Sequence, residues 1–194
     1  MSFELAREAV RLHSNDVYIQ DHLGFAYLSK NRWEDAELPF AKTTSKLVNE
    51  AQSVAWCSYA YLTLGQAERA RELVLEANRL DPLQPHTFDW IVGQVHFFGE
   101  QCEEACRALR GEALLNSLAH ACVTPAYAHL NRMDEAGAAL NVFVSKRRRE
   151  LNSRKFPAKE NTVSVLAGGY RQMWRRQSDW NQIANGLRKA GLPS

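Results

Sequence analysis

Alanines recur along this chain at intervals close to 34 residues, each inside a segment that reads as a helix. Ala36 and Ala70 are 34 residues apart, Ala105 follows after 35, and Ala136 after 31. A period of this length is typical of stacked helical hairpins, where each repeat buries its apolar face against its neighbours. The spacing therefore predicts an all-α protein of about four hairpins.

The most regular repeat runs from Trp56 to Pro82. Tyr61 ends its first helix, Gly65 lies in the turn, and the small residues Ala70 and Ala77 let the two helices pack closely. This order of residues resembles the tetratricopeptide repeat. The resemblance implies a right-handed α-solenoid of about four helical hairpins with C-terminal capping helices.

The other repeats depart from this pattern. Pro39 lies deep in a second helix, so we expect it to kink that helix or end it early. The short interval before Ala136 predicts a shortened helix around residues 110–116. Pro125 falls inside the first helix of the fourth repeat. Residues 5–16 align with the end of a repeat, which predicts that the array starts in mid-repeat as a piece of a longer protein.

The repeat pattern stops after Phe143. Residues 145–161 are polar and basic and contain a proline, so we predict a frayed helix end and then a loop. Two short helices should follow, at 162–176 and at 179–189 with Asp179 as the N-cap. Four of their apolar residues should face inward and cap the array: Trp174, Trp180, Ile183 and Leu187. We accordingly divide the chain into a repeat array, 1–149, and a basic loop with capping helices, 150–194.

The sequence contains no feature of a secreted or membrane-spanning protein. The first ten residues are charged, and no apolar run is long enough to span a bilayer, so we expect a cytoplasmic protein. The four cysteines, Cys57, Cys102, Cys106 and Cys122, fall within helical patterns, which favours reduced thiols. Cys102 and Cys106 are four residues apart and could share a helix face, but this is not the spacing of a zinc module, so we expect packing roles.

No pattern for catalysis appears. We find neither a nucleophile elbow, nor a phosphate-binding glycine loop, nor paired carboxylates. We therefore predict a protein that is not an enzyme and that uses no cofactor or metal.

The charge is divided unevenly along the chain. Residues 1–100 carry 9 Lys/Arg and 14 Asp/Glu, and residues 101–194 carry 15 and 8. A basic run allows electrostatic binding of nucleic acid, and it also suits a solvated helix end, where cations complement the helix dipole. We favour the helix end, because nothing aromatic interleaves with these cations to stack on bases. The run contains Lys146, Arg147, Arg148 and Arg149.

The tetratricopeptide resemblance also implies which residues face the inner groove of the array. The groove would bind a protein or peptide partner, and its residues are largely aromatic and apolar. Such a surface accepts an amphipathic helix or an extended peptide, or is filled by the chain's own flanking segments, and both alternatives stay open. A carboxylate clamp is not expected, because it would need Lys and Asn at the fifth and ninth places of the first full repeat, which hold Asp21 and Phe25. The predicted partner-binding residues are Tyr18, Asp21, Phe25, Leu28, Tyr59, Leu62, Trp90, Gln94 and Phe97.

The carboxyl-terminal half carries a second resemblance. The segments HFFGEQCEEACRAL, ACVTPAYAHLNRMDEAGAAL and NGLRKAGLPS look like the tetratricopeptide region that ends many bacterial class III adenylate and guanylate cyclases. Similar regions also follow winged-helix regulators. The resemblance implies a non-catalytic interaction module that regulates an upstream cyclase or DNA-binding domain. The alternative is a structural element that holds such domains in a homodimer.

Overall fold

The chain is all-helical wherever its structure is described. The computed structural model describes residues 3–46, 50–82, 88–111 and 116–194, and these ranges contain no β-strand, which confirms the all-α class. No helix in them combines the length and the apolar character that crossing a membrane requires. The helices are α1 Phe3–Leu12, α2 Val17–Leu28, α3 Trp33–Lys46, α4 Ala51–Thr63, α5 Ala67–Leu80, α6 Asp89–Phe98, α7 Cys102–Ala108, α8 Ser117–His129, α9 Met133–Ser153, α10 Val163–Leu166, a 3-10 helix Gly168–Met173, and α11 Gln177–Lys189.

The chain divides into two compact units. Unit 1 comprises residues 1–84 and contains α1 to α5, and unit 2 comprises residues 85–194 and contains the remaining helices. The boundary expected at residues 149 and 150 lies inside the continuous helix α9, close to its end at Ser153. The basic run and the C-terminal helices therefore belong to the same unit as the last two hairpins.

Consecutive helices pair as hairpins through turns of one geometry. The turn residue has a positive φ in each case, and its amide donates to the carbonyl three residues earlier. The next amide donates to the carbonyl five residues before it, which satisfies two carbonyls at the helix end. The pairs α2–α3, α4–α5, α6–α7 and α8–α9 therefore share a helix ending as well as a length period. The four turn residues are Asn31, Gly65, Glu100 and Asn131.

Small residues set how closely the paired helices approach. Each periodic alanine lies five residues after its turn residue and is fully buried. On the facing helix of unit 1, a Cβ added to Gly24 would lie 2.6 Å from the ring of Phe40. In unit 2, a Cβ added to Gly93 would lie 2.3 Å from Leu109. A larger side chain at Gly24 or Gly93 would push the paired helices apart, so the close packing of these two hairpins depends on glycine at that position.

Unit 1 is centred on aromatic side chains between its helices. The ring of Phe40 lies 5.1 Å from Phe25 and 6.4 Å from Tyr61, and α1 packs on α2 through Phe3 and Tyr27, 5.2 Å apart. The expected early end at Pro39 is wrong, because α3 continues for seven residues beyond it. Burial of this face of α3 outweighs the cost of the missing amide.

The irregular hairpins lie in unit 2. Helix α7 has only 7 residues and ends at Ala108, so the predicted shortening is confirmed at that helix, while residues 112–115 lie outside the described part of the chain. Pro125 lies within α8, which continues to His129.

The carboxyl-terminal segment is more ordered than the sequence suggested. Helix α9 does not fray after Phe143. It begins at Met133 and continues to Ser153, 21 residues in all. Asp179 is not an N-cap, because α11 already begins at Gln177 and Asp179 lies in its first turn. Of the four residues predicted to face inward, Trp180 is only partly buried. The other three are buried: Trp174, Ile183 and Leu187.

Candidate partner-binding surfaces

The nine predicted partner-binding residues all lie on the first helices of hairpins. Six belong to unit 1, on α2 and α4, and three belong to α6 of unit 2. The position six residues before each turn residue is equivalent in all four hairpins. The burial of these equivalent positions differs between the two units. They are occupied by Phe25, Tyr59, Gln94 and Pro125.

In unit 1 the predicted positions form a partly exposed aromatic surface. Phe25 and Trp56 lie 6.1 Å apart and Trp56 and Tyr59 lie 6.2 Å apart, with each pair of rings nearly perpendicular. Trp56 is 38% exposed and Tyr18, two turns before Phe25 on α2, is 53% exposed. We call Tyr18, Phe25, Trp56 and Tyr59 the aromatic surface of unit 1. Leu28 is partly buried at the end of α2, whereas Leu62 belongs to the core at 2% exposure.

Trp56 was missing from the predicted set. The repeat resemblance supplied fixed positions on each first helix, and Trp56 occupies none of them. Its signal was local, since Trp56 precedes Tyr59 by three residues and such residues share a helix face. The spacing of Trp56 and Tyr59 therefore adds a residue that the repeat positions leave out.

A carboxylate joins the two helices at one end of the aromatic surface. Glu50, just before α4, accepts a hydrogen bond from the Tyr18 hydroxyl at 2.9 Å and from the Ser53 hydroxyl at 2.8 Å. The hydrogen bond to this carboxylate raises the pKa of Tyr18. Glu50 thus holds Tyr18 over the start of α4.

Asp21 is the predicted residue with the most unusual environment. Its carboxylate points from α2 toward α4, where the buried Cys57 thiol donates to it over 3.8 Å. Burial raises the pKa of Asp21 to about 6, because little in the surroundings replaces the water that stabilises a charge. Burial and the nearby Asp21 also raise the pKa of Cys57, so this thiol stays protonated and is no nucleophile.

In unit 2 the equivalent residues are covered by the chain itself. Gln94 and Phe97 are fully buried, and Trp90 is partly buried. The Phe97 carbonyl accepts a hydrogen bond from the Gln182 amide of α11 at 2.7 Å. Phe98 packs against Trp174, with ring centroids 4.5 Å apart. The C-terminal segment thus contacts the end of α6 at Phe97 and Phe98.

Helix α11 also lies directly on α8. A Cβ added to Gly186 would lie 2.2 Å from the Cβ of Pro125 and 2.8 Å from its Cα. Pro125 occupies the position that Phe25 and Tyr59 hold in unit 1. At this one position of unit 2, the flanking helix α11 thus packs directly on a first helix of a hairpin.

The basic run does not form one surface. Arg147 is buried, and its Nε donates to the Leu166 carbonyl at 2.7 Å. Its guanidinium pairs with Glu150 at 3.1 Å and lies 4.7 Å from the centre of the Tyr170 ring. Arg148 donates to Asn161 at 2.6 Å. Because consecutive helical residues point in different directions, the four cations cannot act together on a polyanion.

Glu150 and Tyr170 complete this buried cluster with Ser117. The Ser117 hydroxyl contacts both the Glu150 carboxylate and the Tyr170 hydroxyl. Burial alone would raise the pKa of Glu150, but the hydrogen bonds from Ser117 and Arg147 outweigh it and lower the pKa. Burial raises the pKa of Tyr170 to about 12. The cluster joins α8, α9 and the 3-10 helix, so its role is structural.

The cysteines offer no reactive site. Cys57, Cys106 and Cys122 are buried and Cys102 is partly buried, and all four are free thiols. Burial raises the pKa of Cys106 to about 11. Within the described ranges, no three His, Cys, Asp or Glu side chains converge as metal ligands would.

Comparison of the sequence with protein-family models and with curated proteins finds no match.

Proposed function

We propose that this chain is a non-catalytic protein-interaction module that binds a peptide or helix through the aromatic surface of unit 1. The observation that carries the proposal is the difference in cover. At the equivalent positions, Gln94 and Pro125 of unit 2 are buried, and Pro125 lies against α11. Phe25 and Tyr59 of unit 1 are only partly buried, and beside them Trp56 is 38% exposed. Clustered exposed aromatic residues favour binding, since burying them removes apolar area from water.

The tetratricopeptide arrangement is part of this proposal. It is supported by the four turns of one geometry and by the buried alanines that follow each of them. We propose a right-handed α-solenoid that acts in the cytoplasm as the regulatory C-terminal region of a longer signalling protein. The terminal segment from Gly186 to Pro193 supports a cyclase as that protein. Sequencing the reading frame upstream of residue 1 tests this, and a frame that encodes neither a cyclase nor a winged helix would contradict it.

The binding proposal is tested by selecting ligands from a random library of 12-residue peptides displayed on phage. The full chain is the bait, and the variant with Trp56→Ala and Tyr59→Ala is the comparison. We expect peptides to be enriched on the natural chain and lost on the variant, whose helical circular dichroism should be unchanged. Leu75→Ala is the matched control, because Leu75 is 49% exposed on α5, away from the aromatic surface. Equal enrichment on all three baits contradicts the proposal.

A second function, self-association, is favoured by a different surface of unit 1. Leu5 and Leu12 on α1 and Leu38 on α3 are 62%, 61% and 62% exposed. Leu38 also lines a cavity of about 300 Å³ between α1, α2 and α3. A second copy that covered these leucines would make the chain a dimerisation element for an upstream domain. Sedimentation equilibrium from micromolar to millimolar concentration tests this, with Leu12→Glu and Leu38→Glu expected to abolish any dimer.

A further inference from the structure

The chemistry of the partner is readable from the environment of Asp21, if the aromatic surface of unit 1 is the binding site proposed above. Asp21 lies one helical turn before Phe25 on α2. The thiol that contacts it belongs to Cys57, the neighbour of Trp56 on α4. The carboxylate is therefore positioned at the junction of the two helices that carry the aromatic rings.

Asp21 differs from the other paired carboxylates of unit 1. Glu8, Asp35, Glu72 and Glu76 each form an ion pair with an arginine three residues away in the sequence. Among the described residues, no cationic nitrogen lies within 4 Å of the Asp21 carboxylate, whose hydrogen-bond donor is the weak thiol of Cys57. Asp21 is thus a partly buried carboxylate that forms no ion pair with the described residues, and the effects of His22 and Cys57 do not offset the cost of its burial.

Covering the aromatic surface would worsen this situation. A partner that brings only apolar side chains would remove the remaining water from Asp21, and an ionised carboxylate buried without a partner is costly. A partner that brings a cation would instead supply the missing charge-assisted hydrogen bonds. The same cation would lie beside the rings of Phe25 and Trp56, whose faces attract positive charge.

We infer that the partner is a basic peptide or amphipathic helix that places a lysine or arginine against Asp21, beside the rings of Phe25 and Trp56. The charge of unit 1 agrees with this choice, since residues 1–84 carry 9 Lys/Arg and 12 Asp/Glu. Glu50, held beside Tyr18, adds a second carboxylate to the same surface. The raised pKa of Asp21 is what such a missing cation would produce.

The peptide selection described above tests this inference when its enriched sequences are aligned. We expect a lysine or arginine at one fixed position with apolar residues on either side. Apolar enrichment without a basic position, or with an acidic one, overturns the inference and leaves the binding proposal standing. Failure to enrich any peptide over the Trp56→Ala, Tyr59→Ala variant overturns both.

A double-mutant cycle then assigns the cation to Asp21. The best peptide and its Lys/Arg→Gln derivative are titrated against the natural chain and against Asp21→Asn by fluorescence anisotropy. We expect the peptide substitution to weaken binding about tenfold on the natural chain and less than twofold on Asp21→Asn. Equal losses on both proteins would place the cation elsewhere and contradict the inference. Asp35→Asn, which changes an exposed carboxylate of α3, is the matched control and should behave like the natural chain.

Binding should also weaken as the pH falls from 7.5 to 5.5, because protonation removes the charge of Asp21. The titratable groups close to Asp21 are His22 on its own helix and Cys57 on α4. His22→Gln separates their effects, since the fall in affinity should persist in this variant and vanish in Asp21→Asn. A fall that disappears with His22→Gln instead would assign the pH dependence to the histidine and contradict the role of Asp21.

Discussion

The first helices of the hairpins carry equivalent positions in both units, but these positions differ in how far they are buried. In unit 1 these positions hold Phe25 and Tyr59, and the aromatic surface around them stays partly exposed. In unit 2 they hold Gln94 and Pro125, which are both buried, with Pro125 lying against Gly186 of the carboxyl-terminal helix α11. One repeat architecture thus provides a closed surface and an open one, and the difference lies in the side chains at a single position of each hairpin and in the segment that packs there.

The closed surface depends on a close approach that aromatic residues would prevent. Helix α11 reaches α8 because Gly186 has no side chain where it meets Pro125. A tyrosine or phenylalanine in place of Pro125 would occupy the volume through which α11 passes. Pro125 therefore leaves room for α11 to pack on α8, which explains why a proline is tolerated within this helix.

The largest effect should come from opening the closed surface of unit 2. In Gly186→Val, the new Cβ would overlap Pro125, whose backbone Cα lies 2.8 Å away, so α11 must move off α8. We expect the free energy of unfolding to fall by about 3 kcal/mol. Urea denaturation measures the loss, and hydrogen exchange over residues 177–192 shows whether α11 has been released. Gly137→Ala is the control, since a Cβ there meets nothing within 4 Å. Full protection of α11 in Gly186→Val would contradict this account of the closed surface.

A smaller effect should follow from removing the cation that holds the covering segment. Arg147→Met keeps the length of the side chain but loses the hydrogen bond to Leu166 and the ion pair with Glu150. Because Glu150 is about one-third exposed and can be rehydrated, we expect a loss of about 2 kcal/mol rather than the larger cost of a fully buried pair. Urea denaturation measures this loss. Arg149→Met, an exposed neighbour, should change stability by less than about 0.5 kcal/mol. Equal effects of the two substitutions would show that Arg147 contributes no more than a surface cation.

The hairpins were predictable because their signals are local. A small residue at Ala36 or Ala70 and a left-handed turn residue such as Gly65 act within one repeat, so the sequence carries them directly. The continuation of α9 was not predictable in the same way. Arg147 reads as one more surface cation until its guanidinium meets the Leu166 carbonyl, 19 residues along the chain. A charge run alone does not show which of its members is buried.

The candidate surface was predicted only in part for the same reason. The repeat positions Tyr18, Phe25 and Tyr59 lie on the first helices of their hairpins, but whether such a position is exposed depends on segments distant in sequence. Gln94 was predicted as a surface residue and is fully buried, and the nearby Phe97 carbonyl accepts a hydrogen bond from the Gln182 side chain of α11. No sequence pattern within residues 85–130 predicts that the C-terminal segment packs against these helices. The pairing of Gly186 with Pro125 becomes a signal only when the two helices are seen together.

The smallest expected effect concerns the pH dependence of stability, in which the carboxylates of the two surfaces should behave oppositely. Burial raises the pKa of Asp21 to about 6 from 3.8, so the folded chain binds this proton more tightly than the unfolded chain. Stability from Asp21 therefore increases as the pH falls from about 7 to 4. The pKa of Glu150 is lowered from 4.5, so its contribution is present above that pH and is lost only below it.

Between pH 7.5 and 5.0 the contribution of Asp21 can thus be measured before Glu150 titrates. Allowing for the partial exposure of Asp21, we expect the natural chain to gain about 1 kcal/mol over this interval relative to Asp21→Asn. Urea denaturation at both pH values gives the difference, and Asp35→Asn should retain the gain. Other groups, such as His129, whose pKa burial lowers, cancel in this comparison because both proteins contain them. An identical pH dependence in the natural chain and Asp21→Asn would mean that Asp21 is as well solvated as a surface carboxylate. The aromatic surface of unit 1 would then lack the uncompensated charge that distinguishes it from the closed surface of unit 2.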